Sequence, residues 1–137
     1  MKNPPLGFVI GRTAQRLKSR VTAALKPFDI TPEQFAILKE LWESDGVKQT
    51  DIAGQTCKDA PNTARILERL EKKGLVRRER HPGDRRCFEI RLTPEGRRLQ
   101  ALVEPVMQRV RGRAFRTVSS EEQAVLLRLL SRILNDI

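Results

Sequence analysis

Asp84-Arg85-Arg86 sets a carboxylate two residues from one guanidinium and beside another, directly after His81-Pro82-Gly83. Arginines at a turn have no core to enter, so water or a polyanion must be their partner. A guanidinium offers five N–H donors in a planar fork that matches the oxygens of a phosphate or carboxylate. The neighbouring Asp84 can hold one of those forks in a defined direction. The chemistry on offer is recognition of an anion by oriented cations. Asp84 is a poor candidate for a catalytic carboxylate, because a hairpin tip provides no water-excluding pocket.

The flanking residues must position this tip. Leu75 to Arg80 and Cys87 to Leu92 read as two short strands. In the second, Phe88, Ile90 and Leu92 point one way and Cys87, Glu89 and Arg91 the other, the period of a half-buried strand. Between them, His81-Pro82-Gly83 is turn chemistry, with proline fixing φ and glycine free to take φ > 0. The prediction is a β-hairpin with Asp84, Arg85 and Arg86 in its tip.

The 137 residues suffice for one domain with its own core. Lys and Arg number 27 against 17 Asp and Glu, a formal charge of +10. Such an excess favours acidic partners, nucleic acid before an anionic membrane surface. Residues 58–98 hold 13 basic and 7 acidic side chains, so +6 of the +10 surrounds the hairpin. A polyanion should dock there. No apolar run approaches the ~20 residues of a membrane span, and the first residues lack a signal-peptide pattern. Cys57 and Cys87 have no metal spacing around them, and there is one His. We therefore expect a soluble, cytoplasmic protein with reduced thiols, no metal site and no cofactor. With no Gly-rich phosphate loop and no nucleophile relay, an enzyme is the poorest of the functional classes.

Residues 6–28 carry Leu6, Val9, Ile10, Leu17, Val21, Ala24, Leu25 and Phe28 at helical spacing, ended by Lys26-Pro27. Thr31-Pro32-Glu33-Gln34 reads as N-cap, first-turn proline and capping-box partner of a second helix. Its apolar face is Phe35, Ile37, Leu38, Leu41 and Trp42, and Asp45-Gly46 stops it. A short third helix spans 48–56 around Ile52 and Ala53, weakened by Gly54. Asp59 caps a fourth, with Pro61 in its first turn, Ile66, Leu67 and Leu70 inside, and Lys73-Gly74 at its end. Two short helices followed by a hairpin outline a winged helix-turn-helix, in a mainly α chain. Thr93-Pro94-Glu95 starts a fifth helix marked by Leu99, Leu102, Val103, Val106, Val110 and Phe115, with Pro105 set to kink it. Ser119-Ser120-Glu121-Glu122 is a capping box for a sixth, whose stripe of Val125, Leu126, Leu129, Leu130, Ile133, Leu134 and Ile137 runs to the last residue.

The fourth helix should enter a DNA major groove by its N-terminal end. Arg65 can bridge O6 and N7 of guanine and Asn62 can bridge N6 and N7 of adenine. Pro61 suits a thymine methyl or a sugar, Thr63 a base edge, and Arg69 a phosphate. The Arg85-Arg86 tip would reach the flanking minor groove, where a narrow A·T-rich stretch concentrates negative potential. Competing readings are a solvated face for the arginines and support of the first helical turn for Asn62 and Thr63. One such motif reads few base pairs, and the terminal helices need cover. A homodimer answers both needs, with Leu6, Ile10, Leu126, Leu130, Ile133 and Leu134 in its seam. The alternative is that these helices close a core within one chain. The expected organisation is a dimerisation helix at 1–30, a DNA-binding lobe at 31–98 and dimerisation helices at 99–137.

The chain resembles the multiple-antibiotic-resistance regulator (MarR) family over essentially its whole length. The resemblance rests on Thr31-Pro32-Glu33-Gln34-Phe35, on Leu70-Glu71-Lys72-Lys73-Gly74-Leu75-Val76, and on Asp84-Arg85-Arg86 leading to Leu92-Thr93-Pro94-Glu95-Gly96. It implies a homodimeric winged-helix repressor of double-stranded DNA, with Arg86 in the minor groove and Asp84 orienting it. Lys48 departs from a common Ser or Thr cap, and Thr56 and Lys58 replace apolar residues in the turn before the fourth helix. Members often respond to small aromatic acids or phenols, for which Phe8, Arg12, Phe35 and Trp42 are candidates, with plain core as the alternative for the last two. A thiol-sensing branch brings Cys57 into view, because nearby Lys58 can raise its thiolate fraction. The absence of Tyr and of an N-terminal cysteine sets the chain apart from that branch. Cys87 reads as a hairpin residue without a task. Outside this class, an architectural protein coating nucleic acid by charge alone is the other reading.

Overall fold

A computed structural model of the chain describes residues 2–55 and 60–137, with side chains outside 53–60. The expectations for Thr56, Cys57, Lys58 and Asp59 lie outside the described residues. The order is α1 (Leu6–Leu25), a 3-10 turn (Lys26–Phe28), α2 (Pro32–Glu43), β1 (Val47–Lys48), α3 (Gln49–Gln55), α4 (Ala60–Lys72), β2 (Val76–His81), β3 (Asp84–Leu92), α5 (Pro94–Ala114) and α6 (Ser120–Asp136). This is the expected mainly helical winged helix-turn-helix.

Local signals act as read. Thr31 and Gln34 exchange reciprocal hydrogen bonds of 3.1 Å at the start of α2, and Ser119 and Glu122 do the same for α6. At the end of α4, Gly74 takes φ +75°. Its N–H donates to the Glu71 carbonyl and the Leu75 N–H to that of Leu70. These two bonds satisfy carbonyls that the helix end would otherwise leave open.

Three expectations need correction. The hairpin is longer and tighter than predicted: only Pro82 and Gly83 form the turn, and Asp84, Arg85 and Arg86 are already in β3. The sheet has three strands, not two. β1 pairs with β3 through Val47↔Ile90 and Lys48↔Glu89, giving the order β1-β3-β2. As the central strand, β3 is covered on both edges, so Glu89 is buried. Two residues are too few for an alternation to register, which is why β1 left no signal. On α5, Leu102 is exposed, while Val103 and Met107 are buried.

One core joins Leu25 of α1, Ile37, Leu38 and Leu41 of α2, Ile52, Leu67 and Leu70, Val76, Ile90 and Leu92, and Val103 and Met107 of α5. It crosses all three predicted segments. Helix α6 contributes nothing buried to it.

The junction between wing and long helix is tight. Thr93 caps α5 with Oγ1 accepting from the Gly96 N–H at 3.1 Å, and the same hydroxyl donates to the Gly74 carbonyl at 2.5 Å. A Cβ on Gly96 would lie 2.2 Å from the Leu75 carbonyl oxygen. The indole N–H of Trp42 donates to the Gly96 carbonyl at 2.9 Å. Asp45, read from sequence only as a stop, ties the corner together. Its carboxylate accepts from the Gly46 and Leu92 N–H groups at 2.9 Å and from Arg97 at 2.6 Å.

Two predictions follow from this packing. Gly96→Ala should cost about 1–3 kcal/mol, since the added carbon meets backbone and not a flexible side chain; an unchanged denaturation midpoint would show that the junction yields. Glu40 presents the second case. Its Oε2 is buried without a hydrogen-bond partner among the described residues. Burial first, then the charges of Asp51 and Glu43, raise its pKa above the ordinary 4.5. The folded chain therefore holds this proton more tightly than the unfolded chain, and stability falls as pH rises through the raised value. Glu40→Gln should raise the melting temperature at neutral pH, and the gain should vanish in acid below 4.5; a lower melting temperature at pH 7 would count against it.

Candidate nucleic-acid interface

Helix α4 sorts its residues by the 3.6 period. Ile66, Leu67 and Leu70 are buried, and Pro61, Arg65, Arg69 and Lys72 are exposed. Asn62 is half-buried. Thr63 is fully buried, so the expectation that it reads a base edge is corrected: it packs inward beneath the first turn. It falls on the inner stripe of the helix, three residues before Ile66 and four before Leu67.

The wing sorts its charges by the period of two. On one face, Arg77 and Arg91 stand opposite each other, as do Glu79 and Glu89. Glu79 takes Arg77 at 2.8 Å and Arg91 at 3.5 Å, and Glu89 takes Arg91 at 2.6 Å. That face neutralises itself. On the other face, Arg78 and Arg80 stand opposite Ile90 and Phe88. The guanidinium carbons lie 5.0 and 4.9 Å from the centroid of the Phe88 ring. Arg78 also reaches Glu71 of α4 at a loose 3.9 Å, and Arg80 donates to the Arg85 carbonyl at 2.6 Å. Sequence reading missed Arg78 and Arg80; their alternate spacing in the predicted strand was the available signal.

At the tip, Asp84 Oδ1 accepts from the Arg86 N–H at 3.0 Å and from its Nε–H at 3.3 Å. The Arg86 side chain is 91% exposed and yet tethered at its base. Cys87 is not idle: its thiol donates to Asp84 Oδ2 at 3.6 Å. The Arg86 backbone N–H first, then its guanidinium and the Cys87 thiol, hold the Asp84 carboxyl below the usual carboxylate range. Asp84 is therefore ionised at neutral pH. Arg85 is exposed.

Helices α3 and α4 meet the wing at one cleft. Gln49, Thr50, Thr63, Arg78, Arg86, Cys87 and Phe88 line a single cleft of 260 Å³ between α3, α4 and the hairpin. The arginine at the tip and Thr63 in the first turn of α4 therefore border the same cleft.

The four candidate ligand contacts form two pairs. Arg12 lies over Phe8 at 5.8 Å on exposed α1. Phe35 and Trp42 meet edge to face at 6.1 Å, packed against the core, with the Trp42 N–H committed to Gly96. The seam candidates lie together: Leu6, Ile10, Leu126, Leu130 and Ile133 line one apolar groove of 560 Å³, with Leu129 beside them. Leu134, 71% exposed, continues the stripe on α6.

Known proteins share this fold. A family model described as the MarR family matches residues 30–88. The transcriptional regulator HosA of Escherichia coli O111:H- is 30% identical over 107 residues, 78% of this chain and 79% of that protein. The chain belongs to the MarR family. A probable transcriptional regulator from Pseudomonas aeruginosa superimposes with a TM-score of 0.86 at 28% identity, covering 97% of this chain and 99% of that one. A mutant MarR from E. coli complexed with operator DNA superimposes with a TM-score of 0.88 at 27% identity, over 95% and 94% of the two chains. Among the described residues no helix is long and apolar enough to cross a membrane.

Proposed function

We propose that the chain is a sequence-specific, DNA-binding transcription regulator that works as a homodimer, in the repressor sense implied by the family. The observation that carries this reading is the tethered tip: Arg86 is 91% exposed yet held at its base by Asp84, and it borders a cleft walled by α3, α4 and the hairpin. A helix fits a major groove, and an arginine held at a wing tip suits the adjoining minor groove. In this reading Pro61, Asn62 and Arg65 face base edges, Arg69 a phosphate, and Arg85 and Arg86 the minor groove, with Asp84 orienting Arg86. The operator-bound relative supports it.

The second copy is supported by α6. It is capped at its start, yet no residue in it is buried, and its apolar stripe adjoins that of α1. An exposed apolar surface of this extent marks an interaction site. Residues 1–30 and 99–137 would supply the seam and 31–98 the DNA-binding lobe, although one core crosses these limits. Two-fold pairing would set the two α4 helices about 34 Å apart, one turn of duplex. Release by a small aromatic acid or phenol is carried over from the family resemblance. Phe8 and Arg12 are open to such a ligand, whereas Phe35 and Trp42 are committed to packing. It would act by binding better to a dimer with the wrong lobe spacing.

Selection of genomic fragments by the purified protein, followed by titration against random duplex at several salt concentrations, tests the reading. Equal affinity and equal salt slope on both would favour a coating protein instead. Arg86→Ala should weaken binding to the selected fragments by about 1–3 kcal/mol with folding intact; unchanged affinity in a gel shift would remove the wing contact. Leu130→Asp should dissociate or unfold the dimer by placing an unpaired charge in an apolar seam, and a folded dimer by light scattering would place the seam elsewhere.

A further inference from the structure

We propose that Phe88 is a positioning residue for DNA binding: its ring holds the guanidinium groups of Arg78 and Arg80 as phosphate contacts on the α4-facing side of the wing. The inference rests on the DNA-binding reading above and adds residues to it.

A strand residue as long as arginine, exposed and free, samples many rotamers. Ordering it at a phosphate costs entropy that subtracts from affinity. The Phe88 ring removes part of that freedom beforehand. Both guanidinium carbons lie within 5.0 Å of its centroid, inside the range where a cation is drawn to an aromatic face. Phe88 is half-buried, so its own position is set by the sheet. Each arginine has a second restraint. Glu71 leans Arg78 toward α4, and the Arg85 carbonyl holds Arg80 toward the tip. Both restraints are partial: Glu71 is 3.9 Å away, and a single carbonyl uses few of the five donors of Arg80. The unused N–H groups remain for phosphate oxygens.

The location fits a backbone strand. Arg78 and Phe88 line the cleft between α4 and the wing. With α4 in one groove and Arg86 in the next, the phosphodiester chain that separates the grooves must pass over this cleft. Thr50 adds a hydroxyl there. Gln49 adds an amide whose oxygen is buried without a partner among the described residues. Rotating that amide presents an N–H donor to a phosphate instead. The opposite face of the hairpin, where Glu79 and Glu89 absorb Arg77 and Arg91, has no such surplus.

The test is the salt dependence of binding to selected fragments and to random duplex. Each lost phosphate contact flattens the slope by about 0.9. Arg78→Gln and Arg80→Gln should each flatten it by that amount on both DNAs. Phe88→Leu, which keeps apolar bulk but removes the ring, should flatten it with both arginines present, and Phe88→Tyr should restore it. Loss of affinity in Phe88→Leu at an unchanged slope would assign the ring to packing and overturn the proposal. So would unchanged slopes in both arginine variants, which are exposed sites and decide the matter if Phe88→Leu fails to fold. Wild-type protein that shows these slope changes but no preference for selected fragments would uphold the stack while removing sequence-specific recognition. Wild-type protein that binds no duplex would remove both.

Discussion

The contact on which the molecule turns is the approach of the α5 backbone to the end of α4. Gly96 lies against the Leu75 carbonyl with no room for a side chain, and Thr93 bonds both Gly74 and its own helix start. Leu75 ends the α4 cap and immediately precedes β2. One spot therefore sets the angle between helix, hairpin and long helix. Trp42 of α2 and Asp45 just after it brace the corner. The arginines of the wing keep a fixed distance from α4 because of this corner, and a looser corner would spread the cleft they share.

Charge is distributed by the same geometry. A strand sends alternate residues to opposite faces, so a basic run divides into two sets. One set meets Glu79 and Glu89 and is neutralised within the sheet. The other meets an aromatic ring and open solvent. The charge excess along residues 58–98 is the sequence argument for a polyanion docking there, but it includes arginines that are already paired. The face toward α4 keeps Arg78 and Arg80 in excess, and Asp84 is spent on holding Arg86 in place.

The apolar ends raise a different constraint. Helix α6 is well capped and strongly amphipathic, yet the core closes without it. A single chain satisfies the DNA-binding lobe and leaves the terminal helices facing water. In the proposed dimer, pairing of two copies would serve both, covering the stripe and repeating the reading head.

Much was legible from residues alone, because the signals are local. The capping boxes at Thr31 and Ser119, the glycine at the end of α4 and the alternation of Phe88, Ile90 and Leu92 act over three or four residues and survive in the fold. For Thr63 the residues left two readings open, a DNA contact or support of the first turn, and its burial in the packed α4 decides for the second. The two-residue strand Val47–Lys48 was too short to announce itself, and with it went the burial of Glu89. The roles of Asp45, Arg78 and Arg80 depend on partners up to 52 positions away. Sequence by itself determined the elements, their ends and the excess of positive charge, since these follow from side-chain chemistry within a turn or strand. Tertiary structure alone decided which arginines are already paired and which face α4, because pairing depends on distances that only the closed chain sets.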